Sequence, residues 1–484
     1  VSGKQESEVF ETPVYFHPNE QLEVLDRGLI AIPTSEGVFL SWRLLKNEVV
    51  DFDQSKKSLN SPAFTIFKNG EKLATVADST NFLDKSGTID TTYQVAIENG
   101  QPCQVVTPWE KEYLDLPLNK PKDGITPSGD TYSYHANDVS VADMDGDGEY
   151  ELILKWDPSN SKDVSQRGYT GSCLIDCYKL NGQQLWRIDC GPNIRAGAHY
   201  TQFMCFDFNN DGKGEIALKT APGTKIICYD NLGKVVSEKY ITLPKKDQQR
   251  GVTHEDNYVC STDDYANHLK EMFRNWTTHP EVVAKHWPQT IEACLEIDPR
   301  YDYPLSDADA SELVDFFMDD YAPKKSDKNK LREFEGFIFE GPEYLTMFSG
   351  LGQEIETIDF PFLREDDGLL WGDYAGNRIE PCNRVDRFLA GVAYLDGIHP
   401  ALIICRGYYT RACVAAFDFS ENKFQTLWTI DSGHVPMDNP FHDTIHNQDG
   451  RDPFFGALAC QGDHSLSCAD VDGDGCMEII YGGA

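Results

Sequence analysis

The sequence predicts an all-β chain, most of it a β-propeller, with a small β-sandwich-like unit in front and one helical insertion. Three observations predict this. Three segments repeat one another: HANDVSVADMDGDGEYELILKW (135–156), HYTQFMCFDFNNDGKGEIALKT (199–220) and GDHSLSCADVDGDGCMEIIYGG (462–483). The chain around them reads as strand, turn, strand, again and again, the pattern of repeated sheets with edge loops. One block, about 261–333, instead carries apolar residues at helical spacing.

Residues 1–110 read as the N-terminal β domain. GVFLSWRLL (37–45) alternates, with Val38, Leu40 and Trp42 on one face. FTIFKNGEKLATV (64–76) is a hairpin signal turning at Asn69-Gly70, and TTYQVAI (91–97) is a further strand. The Pro- and Gly-rich stretch 98–130 reads as a linker or wrapping loop. Residues 111–484 are assigned to the propeller, with hairpins at 174–191, 226–238, 342–360 and 415–431. GVAYLDGIHPALIICRG (391–407) resembles a fourth repeat that keeps only Asp396 of the acids. In the insertion, Leu269, Met272, Phe273 and Trp276 form one stripe and Leu313, Phe316, Phe317 and Tyr321 another. Pro280 is placed to open a helix near a Thr278 cap, and Ser306, Asp307 and Asp309 suit a helix start. Without the insertion, the length from 131 onward allows roughly six or seven blades of about 40–45 residues.

Each repeat carries an acidic loop that runs into an apolar strand. The oxygen side chains are Asp143, Asp145, Asp147 and Glu151; Asp207, Asn209, Asp211 and Glu215; Asp470, Asp472, Asp474 and Glu478. Alternate residues of a tight loop aim several hard oxygens at one centre, which suits Ca²⁺ better than Mg²⁺ or Zn²⁺. The EF-hand likeness is partial, because Glu stands at the ninth position rather than the twelfth and a strand follows. A solvated acidic turn explains one such loop, whereas threefold recurrence at one spacing points to metal.

The formal charge of -36 argues against nucleic acid or an anionic membrane surface as partner. No apolar run is long enough for a membrane span. The start, VSGKQESEVF, is not a signal peptide, as expected of a processed secreted protein or a trimmed one. The fourteen cysteines include no metal spacing; Cys205, Cys405, Cys413 and Cys468 sit in strand-like runs as small apolar side chains, and no disulfide framework is predicted.

HANDVSVADMDGDGEYELILKWDPSNSKD with GYTG, LWRID, IRAGAHYTQFM and FDFNNDGKGEIALKTAPGT resembles rhamnogalacturonan I lyases of polysaccharide lyase family 11. LDRGLIAIPTSEGVFLSWRLL, NRVDRFLAGVAYLDG, CRGYYTR and GDHSLSCADVDGDGCMEIIYG carry the same resemblance, which spans nearly the whole chain apart from the helical block. It implies an eight-bladed propeller with an N-terminal β domain, bound Ca²⁺, and β-elimination at the rhamnose–galacturonate bond of the rhamnogalacturonan I backbone of pectin. Two departures from the family pattern are read from the sequence: the helical block is long, and the C-terminal blades are absent. The partner implied is the pectic polysaccharide, met by an extracellular monomer that is secreted or at the cell surface.

Elimination needs a base for the C5 proton, neutralisation of the neighbouring carboxylate and help for the leaving oxygen. Bound Ca²⁺ is expected to neutralise the carboxylate as a Lewis acid. By the resemblance, Asn137 and Asp157 are substrate contacts. His199 and His464, which precede two of the acidic loops, are the candidates for catalysis, with a hydrogen-bonded structural histidine as the alternative. Lys155, Arg195 and Arg406 are candidates to bind galacturonate carboxylates, with Arg411 behind them. Tyr169, Tyr200, Tyr408 and Tyr409 are candidates to stack on sugars or to pack blades. The competing function is a calcium-stabilised carbohydrate-binding or adhesion propeller without catalytic activity.

Overall fold

The computed structural model describes residues 20–53, 55, 58–364, 368–443 and 445–483; the VSGKQESEVF start lies outside them. The chain is predominantly β. At its N-terminal side, strands Ile30–Thr34, Gly37–Ser41 and Asn81–Asp84 form one sheet, and Glu71–Val76, Phe64–Lys68 and Tyr93–Ile97 form another. The predicted hairpin turns at Asn69 and Gly70, whose φ angles of 50° and 82° are those of a primed two-residue turn. The alternating residues Val38, Leu40 and Trp42 face Phe64, Ile66, Tyr93 and Val95 in a shared core.

Beyond residue 131 the described strands form four sheets, not six or seven. The first holds Tyr134–Ala142, Glu151–Pro158, Leu174–Tyr178 and Gln184–Asp189. The hairpin Lys225–Tyr229 and Val235–Tyr240 extends this same sheet through the pairing of Gln184–Asp189 with Lys225–Tyr229, rather than founding a unit of its own. The second holds Phe203–Phe206, Glu215–Thr220, Tyr344–Ser349 and Glu354–Asp359; the third Phe388–Ala393, Ala401–Arg406, Cys413–Asp418 and Gln425–Asp431; the fourth Gln461–Ala469 and Glu478–Gly483. Long irregular stretches at 360–364, 368–387, 432–443 and 445–460 take up residues that a six- or seven-blade count assigns to strands. The first strand of each sheet lies against the first strand of the next. Apolar side chains fill each gap: Ile153, Ile175 and Trp186 with Ile216 and Phe348, then Leu345 and Met347 with Leu402 and Phe417, then Ile403 and Val414 with Leu466 and Ile479.

Thr220 pairs with Tyr344, so everything between them is an excursion from two neighbouring strands. Its helices begin with Lys245–Gln249 and continue with Thr262–Arg274, Pro280–Val283, Ile291–Cys294 and Asp307–Phe316. Ser261 with Asp264 and Ser306 with Asp309 close capping boxes, each satisfying orphan N–H groups of the first turn. The cap before Pro280 is His279, whose ring accepts from Glu281 N–H, rather than Thr278. Both predicted stripes point into one core, with Leu269, Phe273, Leu313 and Phe317 fully buried. That core also takes in Leu369, Tyr374 and Ile379 and, from further on, Met437, Phe441 and Ile445. The excursion is therefore packed against both irregular stretches. No described helix is long and apolar enough to cross a membrane.

Candidate functional site

The first acidic loop is built around Asp143, which is fully buried. Its Oδ1 accepts from Gly146 N–H at 2.7 Å and its Oδ2 from Gly148 N–H at 2.8 Å. Gly146 and Gly148 have φ of 79° and 89°, the left-handed region, which is why the equivalent places hold Gly473 and Gly475 in the third loop and Asn210, at φ 58°, and Gly212 in the second. Glu151 returns from the next strand to accept from Met144 N–H at 2.7 Å. One carboxylate oxygen from each of Asp143, Asp145 and Glu151 lies within 4.8 Å of the others, and the same holds for Asp470, Asp472 and Glu478. These two clusters could hold a metal ion.

The remaining predicted ligands are not among the converging groups. Asp147 accepts from Lys179 Nζ at 2.8 Å, a lysine that also pairs with Asp145, and from Glu149 N–H, and Asp474 accepts from Cys476 N–H. In the second loop Asp207 and Glu215 make the same backbone bonds, to Gly212 N–H and Phe208 N–H. Yet Asp207, Asp211 and Glu215 are not among the converging groups. Asn209 donates from its Nδ2 to Asn422 Oδ1 at 2.8 Å, a partner on the neighbouring sheet, while its Oδ1 accepts from Asp211 N–H within the loop at 2.9 Å.

Burial pushes the Glu151 carboxyl up to about 7 and Glu215 up to about 8, and raises Asp143 and Asp207 as well. These groups bind protons more tightly folded than unfolded. Without metal, their ionisation therefore costs stability as pH rises through the window from about 5 to 8. A dication favours the ionised form and competes with those protons. The rise in melting temperature on adding millimolar Ca²⁺ is expected to grow from pH 5 to pH 8; an increment that is flat or shrinks with pH contradicts this assignment.

The histidines lie at the other end of the strands. From Glu151 to Asp157 the chain runs six strand steps, about 20 Å, and His199 and His464 likewise precede their strands' acidic loops by most of a strand. Loop-bound Ca²⁺, contrary to the expectation from the sequence, is thus too far away to neutralise a carboxylate held at the histidines. The first strands of sheets one and four are both irregular at this end. Their register shifts between Ala136 and Val139 and between Gln461 and Leu466, which frees Asn137 and His464 from regular pairing.

His199 Nδ1 stands 3.2 Å from Asp163 Oδ2, and its ring centre is 6.4 Å from that of His464. The neighbouring His199 ring, with Nδ1 at ion-pair distance but not in an aligned hydrogen bond, holds the Asp163 carboxyl down at about 2, helped by the nearby charge of Arg387. Arg387 is buried, with its guanidinium 4.5 Å from the Tyr408 ring centre. Tyr408 in turn donates to Asn383 Oδ1 at 2.7 Å. Asp163, His199, Arg387 and His464 thus come from four separate stretches of chain. Sequence reasoning missed Asp163 and Arg387. Arg387 lies in the quoted motif NRVDRFLAGVAYLDG, but nothing local marks it above Arg384 beside it.

Other predicted contacts divide by what they already hold. Asn137 is exposed, and Asp157 is 6% exposed with Oδ1 lacking a hydrogen-bond partner among the described residues. Lys155, two residues before Asp157 on the same face, is bound to Asp138 at 3.0 Å. Arg195 is a structural cation: it donates to Tyr200 Oη at 2.7 Å and to Gly168 O, and lies over Phe337. Arg406 is wholly buried and donates to Glu343, Phe362 O and Val385 O. Neither presents an open guanidinium face. Arg411 is held by Asp431 and lies 3.0 Å from His434 Nε2. Tyr200 is buried under Arg195, Tyr169 is half-buried, and Tyr409 stacks near His446 at 4.7 Å.

The family description "Rhamnogalacturonan lyase family 11, C-terminal domain" matches residues 113–260 and 324–484. The chain belongs to rhamnogalacturonan lyase family 11. A second description, "Rhamnogalacturonan I lyases beta-sheet domain", matches residues 20–109 of this family 11 chain. Rhamnogalacturonan endolyase YesW of Bacillus subtilis (strain 168) is 40% identical over 468 residues, covering 96% of the chain and 55% of the relative. Rhamnogalacturonan exolyase YesX of the same organism is 39% identical over 471 residues, covering 96% and 56%. The solved rhamnogalacturonan lyase PL11 of Bacillus licheniformis matches with a TM-score of 0.65 at 39% identity, covering 96% of this chain and 59% of that one. The chain spans about half the length of the curated relatives it matches. Residues 261–323 of the helical excursion fall outside both family matches.

Proposed function

We propose that this chain is part of a calcium-dependent lyase that cleaves the rhamnose–galacturonate bond of the rhamnogalacturonan I backbone by β-elimination. The single observation that carries the chemistry is the meeting of the Asp163–His199 pair with His464 and Arg387. Ionised Asp163 holds the His199 ring from Nδ1, leaving Nε2 to take the C5 proton of galacturonate. The C5–H electron pair becomes the C4=C5 double bond, the C4–O4 bond breaks, and the departing oxygen takes a proton from His464. Arg387 supplies positive charge for the substrate carboxylate as the proton leaves. Asn137 and Asp157 are assigned to sugar hydroxyls; the unpartnered, buried Asp157 Oδ1 supports this.

Ca²⁺ in the Asp143 and Asp470 clusters would tie loop to strand by neutralising crowded carboxylates. The abutting first strands, with apolar layers between successive sheets, support a propeller arrangement of the four sheets. The size of the polymer supports action outside the cell. The non-catalytic alternative accounts for the acidic loops but gives the Asp163–His199 pair no role.

Ultraviolet absorbance during incubation with rhamnogalacturonan I tests the reading. Elimination yields the conjugated C4=C5 product. New reducing ends without that absorbance would mean hydrolysis, and binding with neither signal would favour the non-catalytic propeller.

A further inference from the structure

The helical excursion is fastened to the two irregular stretches by polar contacts as well as by its core. Trp287 Nε1 donates to Met437 O at 2.9 Å. Asn329 donates to Asn377 O at 2.8 Å and accepts from Ile379 N–H at 3.0 Å. Arg451 makes a two-pronged pair with Glu281, at 2.6 and 2.8 Å, and His286 lies 2.9 Å from the same carboxylate. That doubly bonded geometry fixes direction as well as distance. One fastened stretch carries Arg384 and the other His446.

Arg384 is 5% exposed. Among the described residues its ion-pair partner is Asp373 at 3.7 Å, and its Nε and Nη1 have no hydrogen-bond partner. Asp373 already accepts from the backbone N–H groups of Cys382 and Arg384. A buried guanidinium with unmet donors is costly unless something else completes it. His446 is a residue exposed at the surface whose ring is partly desolvated, and the Arg384 charge reaches it; both effects push its pKa down. The His446 ring lies 4.7 Å from that of Tyr409, held at a φ of 62°. A strained tyrosine backbone beside a histidine that senses an unsatisfied cation is the kind of arrangement retained at binding sites. The fitting ligand is a carboxylate on a pyranose ring, with the carboxylate on Arg384 and the ring against Tyr409.

We propose that Arg384, with Tyr409 and His446, forms a second carboxylate-binding subsite for a galacturonate unit other than the one cleaved, and that the Glu281–Arg451 pair of the helical excursion positions it. This rests on the rhamnogalacturonan reading above. Arg384, Tyr409 and His446 bind; Glu281 and Arg451 act through the backbone of 432–460 and are positioning residues.

Calorimetric titration of the full chain with oligosaccharides of alternating rhamnose and galacturonate, and with their carboxyl-reduced counterparts, tests the subsite. Arg384→Gln is expected to weaken binding of the acidic oligosaccharide at least tenfold and to leave the reduced one unchanged. His446→Ala, a surface change, is expected to weaken it two- to fivefold at an unaltered melting temperature. Glu281→Arg and Arg451→Glu should each weaken binding at least threefold, and the double variant should restore it to within twofold. Wild-type affinity in both Arg384→Gln and His446→Ala overturns the subsite. Equal losses on acidic and reduced ligands also overturn it. If the double variant recovers stability but not affinity, the ion pair is structural only. Should Arg384→Gln not fold, Arg384→Lys and His446→Ala decide. Unsaturated product formed by a chain whose Arg384 variants bind normally would leave the lyase reading intact and remove only the subsite.

Discussion

Replacing His199 by alanine is expected to lower kcat for unsaturated-product formation about 10²- to 10⁴-fold, the usual loss when a positioned base is removed. KM should change little, because the ring acts on the transferred proton rather than on the sugar hydroxyls. Asp163→Asn should lower kcat in the same direction but less, since it removes only the group 3.2 Å from Nδ1 that orients the ring. Initial rates by ultraviolet absorbance, with circular dichroism as the check on folding, measure both. An unchanged kcat in His199→Ala would remove this histidine from the chemistry and leave His464 as the candidate. A rise in KM alone would make His199 a binding residue.

Removing Ca²⁺ is expected to have the largest effect on stability. An ion present at about a hundredfold excess over its Kd stabilises by about 2.7 kcal/mol per site. Two converging clusters therefore predict about 5 kcal/mol if both fill. Thermal unfolding in chelator and in millimolar Ca²⁺ gives the difference. Asp472→Ala, at an exposed position, should lower the bound stoichiometry by one and leave the Asp143 cluster filled. Identical melting temperatures under both conditions would make the acidic loops ordinary turns. Because the clusters lie about one strand length (~20 Å) from His199 and His464, Asp472→Ala should affect activity only through stability.

The features legible in the sequence are those set by neighbours along the chain. The Asn69-Gly70 turn, the capping boxes at Ser261 and Ser306 and the left-handed glycines of the acidic loops follow from backbone conformation within a few residues. The stripe Leu269, Met272 and Phe273 was readable because a helix returns every few residues to one face. The loop ligands were readable as a set but not as individuals. Lys179 pairs with both Asp145 and Asp147, and Asn209 gains a bond to Asn422, a residue more than two hundred positions later.

Spacing alone determined that this chain would be rich in strands, would carry acidic loops ahead of apolar strands and would hold one helical block. Only the tertiary structure decided which cations stand near the histidines. Arg195 and Arg406 stand in the quoted motifs, yet their guanidinium groups bind backbone carbonyls and, for Arg406, Glu343, while Arg387 comes near Asp163 from more than two hundred residues away. It decided as well that the hairpin at 225–240 joins the first sheet, and that the acidic loops and the histidines occupy opposite strand ends. The physical reason is common to all of these. A turn, a cap or an amphipathic stripe is fixed by contacts a few residues apart, whereas a buried charge is fixed by whichever partner the packed fold brings within bonding distance.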